Sequence, residues 1–233
     1  MNKKSAIITQ SNYIPWKGYF DSIRQVDVFI VYDDMQYTKR DWRNRNLIKT
    51  PQGLKWLTIP VEVKGKYFQK IKDTKVAEKN WNLSHWEIIK QNYKTARSFN
   101  QVSELIESIY RNCNFDFLTD VNVHFINAIC EHFNIKTEIR FSSEFQLADD
   151  KTERLVNICA DLQVTDYYSG PSAQAYMEVD KFNEKNVEVH YWNYNDYPEY
   201  QQVYGDFEHG VSIIDLLMNE GLDSIQFLNR LHE

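Results

Sequence analysis

Two polar, aromatic stretches near the amino terminus concentrate the residue types that do chemistry. The first reads Thr9-Gln10-Ser11-Asn12-Tyr13-Ile14-Pro15-Trp16-Lys17-Gly18-Tyr19-Phe20. Gln10, Ser11 and Asn12 offer hydrogen bonds to a ligand, and Tyr13 and Trp16 offer rings to stack on it. The second reads Asp33-Asp34-Met35-Gln36-Tyr37-Thr38-Lys39-Arg40-Asp41-Trp42-Arg43-Asn44-Arg45-Asn46 and ends near Lys49. Between positions 39 and 49 five basic side chains stand against one acid, Asp41, in a chain that is acidic overall. The planar guanidinium fork matches phosphate or carboxylate, so Lys39, Arg40, Arg43 and Arg45 are candidates for holding an anion. Arg43 and Arg45 alternate and would share one side of an extended segment. Gln36, Tyr37, Trp42 and Asn44 interleave with the charges. Asp33 or Asp34 is the candidate catalytic base, being a carboxylate at a strand end. The neighbouring arginines lower its pKa and weaken it in that role.

A third stretch, Tyr167-Tyr168-Ser169-Gly170-Pro171-Ser172-Ala173-Gln174-Ala175-Tyr176, is a strand-to-helix turn that offers Ser169 and Gly170 to a ligand. Each stretch has a plain structural alternative: a polar turn with Pro–Trp packing, a solvated charged loop, and a tight Ser-Gly-Pro helix start. Tyr197-Pro198-Glu199-Tyr200 reads as a loop over the site or as surface packing. Ser212 and Asp215 read as helix capping. Other chemistry is missing from the sequence. It has no P-loop, no GxGxxG and no GxSxG. Its six histidines (85, 124, 132, 190, 209, 232) show no ligand spacing, so no metal is expected. No Ser–His–Asp or Cys–His set can be assembled, and the cofactor is unknown.

The elements that must position these residues follow from hydrophobic periodicity. Residues 6–9 and 28–32 read as buried strands, with a helix between them carrying Tyr19, Phe20 and Ile23. Strand, helix and strand within about thirty residues indicate a βαβ unit and a parallel sheet. Both chemistry-bearing stretches then fall at carboxyl ends of strands, where ligands bind in open parallel sheets. Helix starts there also present free N–H groups to anions. Residues 56–63 read as a strand broken by Pro60, and the Lys-rich residues 64–75 as a hairpin or surface loop. From Asn80 the pattern turns helical: Trp81, His85, Trp86, Ile89 and Tyr93 share a face, and Leu118, Val121, Phe125, Ile129 and Phe133 mark a long helix. Residues 137–141, 166–168 and 187–191 are strand candidates. Leu155, Ile158, Cys159 and Leu162 mark a helix, and residues 171–180 another, with Pro171 in its first turn. Ser212 starts a helix that Gly221 stops, and a final helix carries Ile225, Leu228 and Leu231. The expectation is a single α/β domain over residues 1–233, a Rossmann-like parallel sheet with a helical middle insertion.

The bulk properties narrow the function class. The 233 residues carry a net charge of −6, which argues against a general nucleic-acid binder. Aromatic content is high, with 15 Tyr, 13 Phe and 6 Trp, suiting both cores and ring-stacking sites. Cys113, Cys130 and Cys159 lack CxxC spacing and lie in apolar helical patterns, so buried free thiols and a reducing compartment are expected. The apolar run at residues 6–8 is too short for a signal-peptide core. No segment approaches the ~20 apolar residues of a membrane span. A cytoplasmic protein with a small-molecule substrate is the expectation, its oligomeric state open.

The runs QSNYIPWKGYF (10–20), DDMQYTKRDWRNRN (33–46), WLTIPV (56–61), YYSGPSAQAYM (167–177) and SIIDLLMNEG (212–221) resemble the WbqC-like protein family, in the family's order. The resemblance implies a bacterial protein of O-antigen and other surface-polysaccharide biosynthesis. It implies a cytoplasmic role in making or modifying an activated sugar. A transferase acting on a nucleotide-activated or amino sugar is the leading expectation, and a non-catalytic nucleotide-sugar or partner-binding protein the alternative. A similarity of fold points to HIGH-type nucleotidylyltransferases, whose first strand leads into an H-x-G-H turn. Here Trp16-Lys17-Gly18-Tyr19 occupies that spacing: the glycine is kept and both histidines are absent. Lys17 and the arginines can replace imidazole charge but not its proton chemistry at neutral pH.

Overall fold

The computed structural model describes residues 3–228. Five short strands form one parallel sheet: β1 (Ser5–Thr9), β2 (Val28–Val31), β5 (Glu138–Phe141), β6 (Asp166–Ser169) and β7 (Glu188–Tyr191). Their spatial order is β5-β2-β1-β6-β7. Sequence order therefore reverses between β1 and β6, the place where doubly wound sheets open a crevice beyond their strand ends. The register is continuous, with Ala6 opposite Val28 on one side and opposite Tyr167 on the other.

The central strands β1 and β2 are apolar without alternation because both faces are covered. Ile7, Phe29 and Val31 pack on one side with the helices α1 (Lys17–Arg24), α2 (Trp81–Tyr93), α3 (Phe99–Arg111), α4 (Leu118–His132) and α7 (Ile213–Glu220). Ala6, Ile8, Val28 and Ile30 pack on the other with α5 (Lys151–Asp161) and α6 (Val179–Asn183). The expected faces of α2 and α4 are the buried ones. All three cysteines are buried and free, and burial pushes each thiol up to about 12. Among the described residues no helix is long and apolar enough to cross a membrane.

Several boundaries differ from expectation. The strand placed at 56–63 is β4 (Gly53–Thr58), and it pairs antiparallel with β3 (Arg45–Thr50), which begins inside the basic stretch and was not expected as a strand. Asn, Arg and Lys hide β3 from a hydrophobicity pattern, yet Asn46, Ile48, Lys49 and Thr50 are buried. The helix expected over 171–180 is a 3₁₀ turn, Pro171–Ala175, followed by the short α6. Gly221–Leu228 is also 3₁₀, and Leu231 lies outside the described residues. Ser212 does cap α7, accepting from the Ile214 N–H at 3.2 Å. Asp215 does not cap. Its wholly buried carboxylate accepts from Tyr93 at 2.6 Å and Tyr200 at 2.8 Å.

Beneath the sheet, Tyr13 Oη sits 2.8 Å from His85 Nδ1 and 2.8 Å from Tyr110 Oη. His85 also hydrogen-bonds the Thr58 backbone. Burial lowers its pKa from 6.5 to about 4. A base with a depressed folded pKa takes up its proton preferentially in the unfolded chain, so its contribution is intact above the unfolded value and lost as pH falls from about 6.5 toward 4. The full loss is on the order of 3 kcal/mol. Chemical denaturation of the wild type should therefore show stability falling more steeply between pH 6.5 and 4 than in His85→Gln. Parallel profiles would show that His85 is not the titrating group.

Candidate functional site

The chain leaves β1 into Gln10-Ser11-Asn12 and leaves β2 into Tyr32-Asp33-Asp34, side by side in the sheet. Asp33 joins the two exits. Its Oδ1 accepts from the Ser11 N–H at 2.8 Å, and its Oδ2 accepts from Ser11 Oγ and Thr119 Oγ1, each at 2.6 Å. Asn122 Nδ2, also on α4, donates to Ser11 Oγ and to the Arg43 carbonyl, both at 2.9 Å. Burial raises the Asp33 pKa despite these donors. Asp34 faces away. Burial alone would raise its pKa, but donors from Lys72, Ser142 and Lys70 outweigh burial and lower it. Lys72 lies 2.6 Å and Lys70 3.2 Å from Asp34 Oδ1. The oxygens of both candidate bases are engaged by neighbouring donors, which tie the strand exits to the rest of the fold.

The basic segment folds back over the first loop. Tyr13 N–H donates to the Trp42 carbonyl at 3.0 Å, and Arg43 Nη1 donates to Asn12 Oδ1. Asn46 Nδ2 donates to the carbonyls of Tyr13 (3.0 Å) and Ile14 (2.9 Å). Asn44 is buried and donates to the Ile59 carbonyl at 2.8 Å. Arg45 donates to the Arg40 carbonyl and lays its guanidinium 3.9 Å from the centre of the Trp56 ring. Arg43 and Arg45 are thus held by different partners. Lys39, Arg40 and Gln36 are exposed, and Tyr37 is buried.

A cleft of about 350 Å³ opens beside these contacts, lined by Asn12, Pro15, Trp16, Trp42, Asn46, His209 and Gly210. A depression of about 800 Å³ at the opposite edge, near Lys3, Asp27 and Thr165, lies at strand starts and gathers none of the three sequence stretches. In the smaller cleft Trp16 is wedged against Tyr194 and Tyr197, with ring centres at 5.6 and 5.4 Å. Its indole lies directly over Gly18, where an added Cβ would meet ring atoms at 2.4–2.8 Å. Lys17 turns away from the cleft. Its ammonium donates to the Pro198 carbonyl and lies 5.1 Å from the Tyr200 ring centre and 5.5 Å from that of Phe207. Burial lowers its pKa to about 8. Burial, and then the Lys17 charge, lower the His209 pKa, so this imidazole is neutral and able to take a proton at neutral pH.

Of the expected ligand-binding residues, the fold brings Asn12, Trp16, Trp42 and Arg43 together. Tyr13 and Tyr19 are core residues, 0% and 5% exposed, so neither ring is open to stack on a ligand. Tyr19 Oη donates to the Gln10 carbonyl at 3.0 Å. Ser169 and Gly170 stand at the end of β6 across the order reversal and do not line this cleft; nothing crowds Gly170. His209 and Gly210 were missed because nothing local marks them. The tail reaches the cleft through long-range bonds, from Ser212 N–H to the Leu47 carbonyl and from Ile213 N–H to the Pro15 carbonyl, both 2.9 Å.

The model of the WbqC-like protein family matches residues 10–227, from the first cleft loop to beyond the last cleft residue. This chain belongs to that family. A second protein similar to it, uncharacterized protein Rv1507c of Mycobacterium tuberculosis (strain ATCC 25618 / H37Rv), is 47% identical over 225 residues, covering 97% of each chain. No solved structure matches. The WbqC-like cleft gives a direct test of its own construction. Gly18→Ala should leave overall stability within about 1 kcal/mol, because alanine favours a helix while the indole is forced to move. Near-UV circular dichroism should change with the Trp16–Tyr194–Tyr197 cluster while the far-UV spectrum stays put. An unaltered near-UV spectrum would refute the packing of Trp16 on Gly18.

Proposed function

We propose that this protein is a cytoplasmic transferase acting on a nucleotide-activated or amino sugar in bacterial surface-polysaccharide biosynthesis. The observation that carries the reading is the place and lining of the Trp16–Trp42 cleft. It lies beyond the carboxyl end of β1, the strand at which sheet order reverses. Two indoles suit a base or a sugar face. Asn12 and Asn46 orient polar groups, and Arg43 on Asn12 supplies a charge for a phosphate. His209 takes the general-base role that the two aspartates vacate. The resemblance of its motifs to the WbqC-like family, which implies this pathway, supports the reading.

A HIGH-type nucleotidylyltransferase-like architecture is part of this proposal. The strand order supports it, as does Trp16-Lys17-Gly18-Tyr19 at the start of α1, directly after the β1 loop. The Lys17 ammonium is engaged by Pro198, so phosphate binding falls to Arg43. The second reading, a non-catalytic nucleotide-sugar binder, is favoured by one observation: both strand-end aspartates are committed to structural donors.

A thermal-shift screen over nucleotides, nucleotide-sugars, ATP, CoA thioesters and aminoacyl donors tests the site. Ligand at about a hundred times its dissociation constant adds roughly 2.7 kcal/mol, a shift on the order of 5–10 °C at this length. The shift should vanish in Trp42→Ala and Arg43→Ala; a shift that survives both places the ligand elsewhere. Turnover of that ligand then separates enzyme from binder. His209→Gln should lower turnover roughly 10²–10⁴-fold while leaving affinity within a few-fold. Undiminished turnover would remove His209 as the base.

A further inference from the structure

The Lys-rich loop ahead of α2 presents the two most exposed large hydrophobic side chains among the described residues, Tyr67 at 74% and Phe68 at 82%. Their exposure is built in. Gln69 N–H donates to the Lys66 carbonyl at 3.3 Å, which sets Tyr67 and Phe68 at the two corner positions of a turn. Gln36 Nε2 holds the Tyr67 carbonyl at 2.9 Å, and Gln69 Nε2 holds the Glu62 carbonyl at 2.8 Å. Tyr37 N–H donates to the Gln69 carbonyl at 2.9 Å, and Ile71 N–H to that of Met35 at 2.9 Å. The two rings meet edge to face at 4.9 Å. A propped loop that holds an aromatic pair in water has no use for the core.

The charge around that tip is opposite to the charge of the chain. Residues 62–75 carry five lysines (64, 66, 70, 72, 75) against Glu62 and Asp73, within a protein of net charge −6. Exposed Lys39 and Arg40 sit on the neighbouring segment, which bridges to the loop through Gln36 and Lys70. Lys70 and Lys72 are partly engaged by Asp34, and Lys66 by Glu62, leaving Lys64, Lys39 and Arg40 as the most open cations. The partner must therefore be anionic. A turn corner is convex and offers no concavity to seat a folded segment. A fluid interface closes around such a tip, because Tyr and Phe enter the headgroup boundary while lysines reach the lipid charges. An extended polyanion would meet the acidic remainder of the chain.

We propose that this loop is a docking tip for an anionic phospholipid surface, with Tyr67 and Phe68 inserted and Lys64, Lys66, Lys39 and Arg40 at the headgroups. The attachment is peripheral and reversible, as expected for two side chains and a small basic patch. The loop hangs from the carboxyl end of β2, where Lys72 N–H donates to the Asp33 carbonyl at 3.0 Å. Docking therefore turns the strand-end edge that carries the cleft toward the membrane.

Co-sedimentation of the full chain with vesicles tests this. Phosphatidylcholine vesicles containing about 30 mol% phosphatidylserine should pellet the protein, and pure phosphatidylcholine vesicles should not. Raising salt to 0.5 M should release it, because screening shortens the reach of the lysines. Partitioning should fall at least ten-fold in Tyr67→Ser/Phe68→Ser and in Lys64→Glu/Lys66→Glu, with melting temperatures within a few degrees of wild type. Absence of binding to the anionic vesicles, equal binding to both vesicle types, or wild-type binding by the aromatic double variant each overturns the proposal. Retention on single-stranded RNA or an acidic peptide without vesicle binding overturns it in favour of that partner.

Discussion

A single buried carboxylate sets the geometry of the strand-end edge. Burying an ion is costly unless donors replace its water, and Asp33 receives three hydrogen bonds. Those donors belong to the β1 exit and to α4, while Asp33 itself stands on the β2 exit. Asn122 extends the link from Ser11 to the backbone of Arg43. Four separate pieces of chain are thereby fixed to one another around one ion. The basic segment cannot drift from the first loop without leaving a buried polar group unpaired. The same donors occupy the oxygens of this aspartate, although burial raises its pKa.

The second constraint is backbone strain. Ile14 adopts a φ of 37°, a left-handed conformation costly for a β-branched residue and one that Pro15 restricts further. Such positions cost on the order of 1–3 kcal/mol and persist only where the surroundings over-determine them. Here the surroundings are visible. Asn46 bonds the carbonyls on both sides of the strained residue, and the Tyr13 side chain is locked among Trp81, His85 and Phe125. The consequence is a sharp corner that drives Tyr13 into the core and brings Pro15 and Trp16 out to the cleft. The β3–β4 hairpin, which stands apart from the main sheet, supplies Asn46 and so acts as the splint for that corner.

The strands β1 and β2 and the helices α2, α4 and α5 were legible in the sequence because burial on two faces and 3.6-residue periodicity leave strong apolar patterns, whereas α3 was not singled out. The strand ends were legible too, as polar runs directly after β1, β2 and β6. What the pattern could not resolve is which polar residues point inward. Tyr13 and Asn44 look like ligand contacts by type, yet Tyr13 Oη bonds His85 and Tyr110 in the core and Asn44 Nδ2 bonds the Ile59 carbonyl. The β3 strand was hidden by the same ambiguity, since its inward residues include asparagine and lysine. His209 and Gly210 illustrate the opposite difficulty. Their place in the cleft follows from pairing between segments more than 150 positions apart in sequence, which no local signal encodes.

The acids of this edge are neutralised from within, and that shapes what the cleft attracts. Asp33 is held by hydroxyls, Asp34 by lysines, Asp41 by Thr38 and the Trp42 N–H, and Asp215 by two tyrosines. None of them lines the cleft. The cations close to it are the Arg43 guanidinium and the Lys17 ammonium, and the Glu208 carboxylate accepts from the N–H of the lining Gly210 at 2.7 Å. Lys17 is sealed by three aromatic rings and a carbonyl, and with a pKa lowered to about 8 it still carries its proton at neutral pH. A cation in poorly screened surroundings acts over a longer range than one in water. It lowers the proton affinity of His209 and adds to a positive potential at the cleft. Burial and this lysine together hold the lining imidazole in its neutral form, against the opposing charges of Glu199 and Glu208.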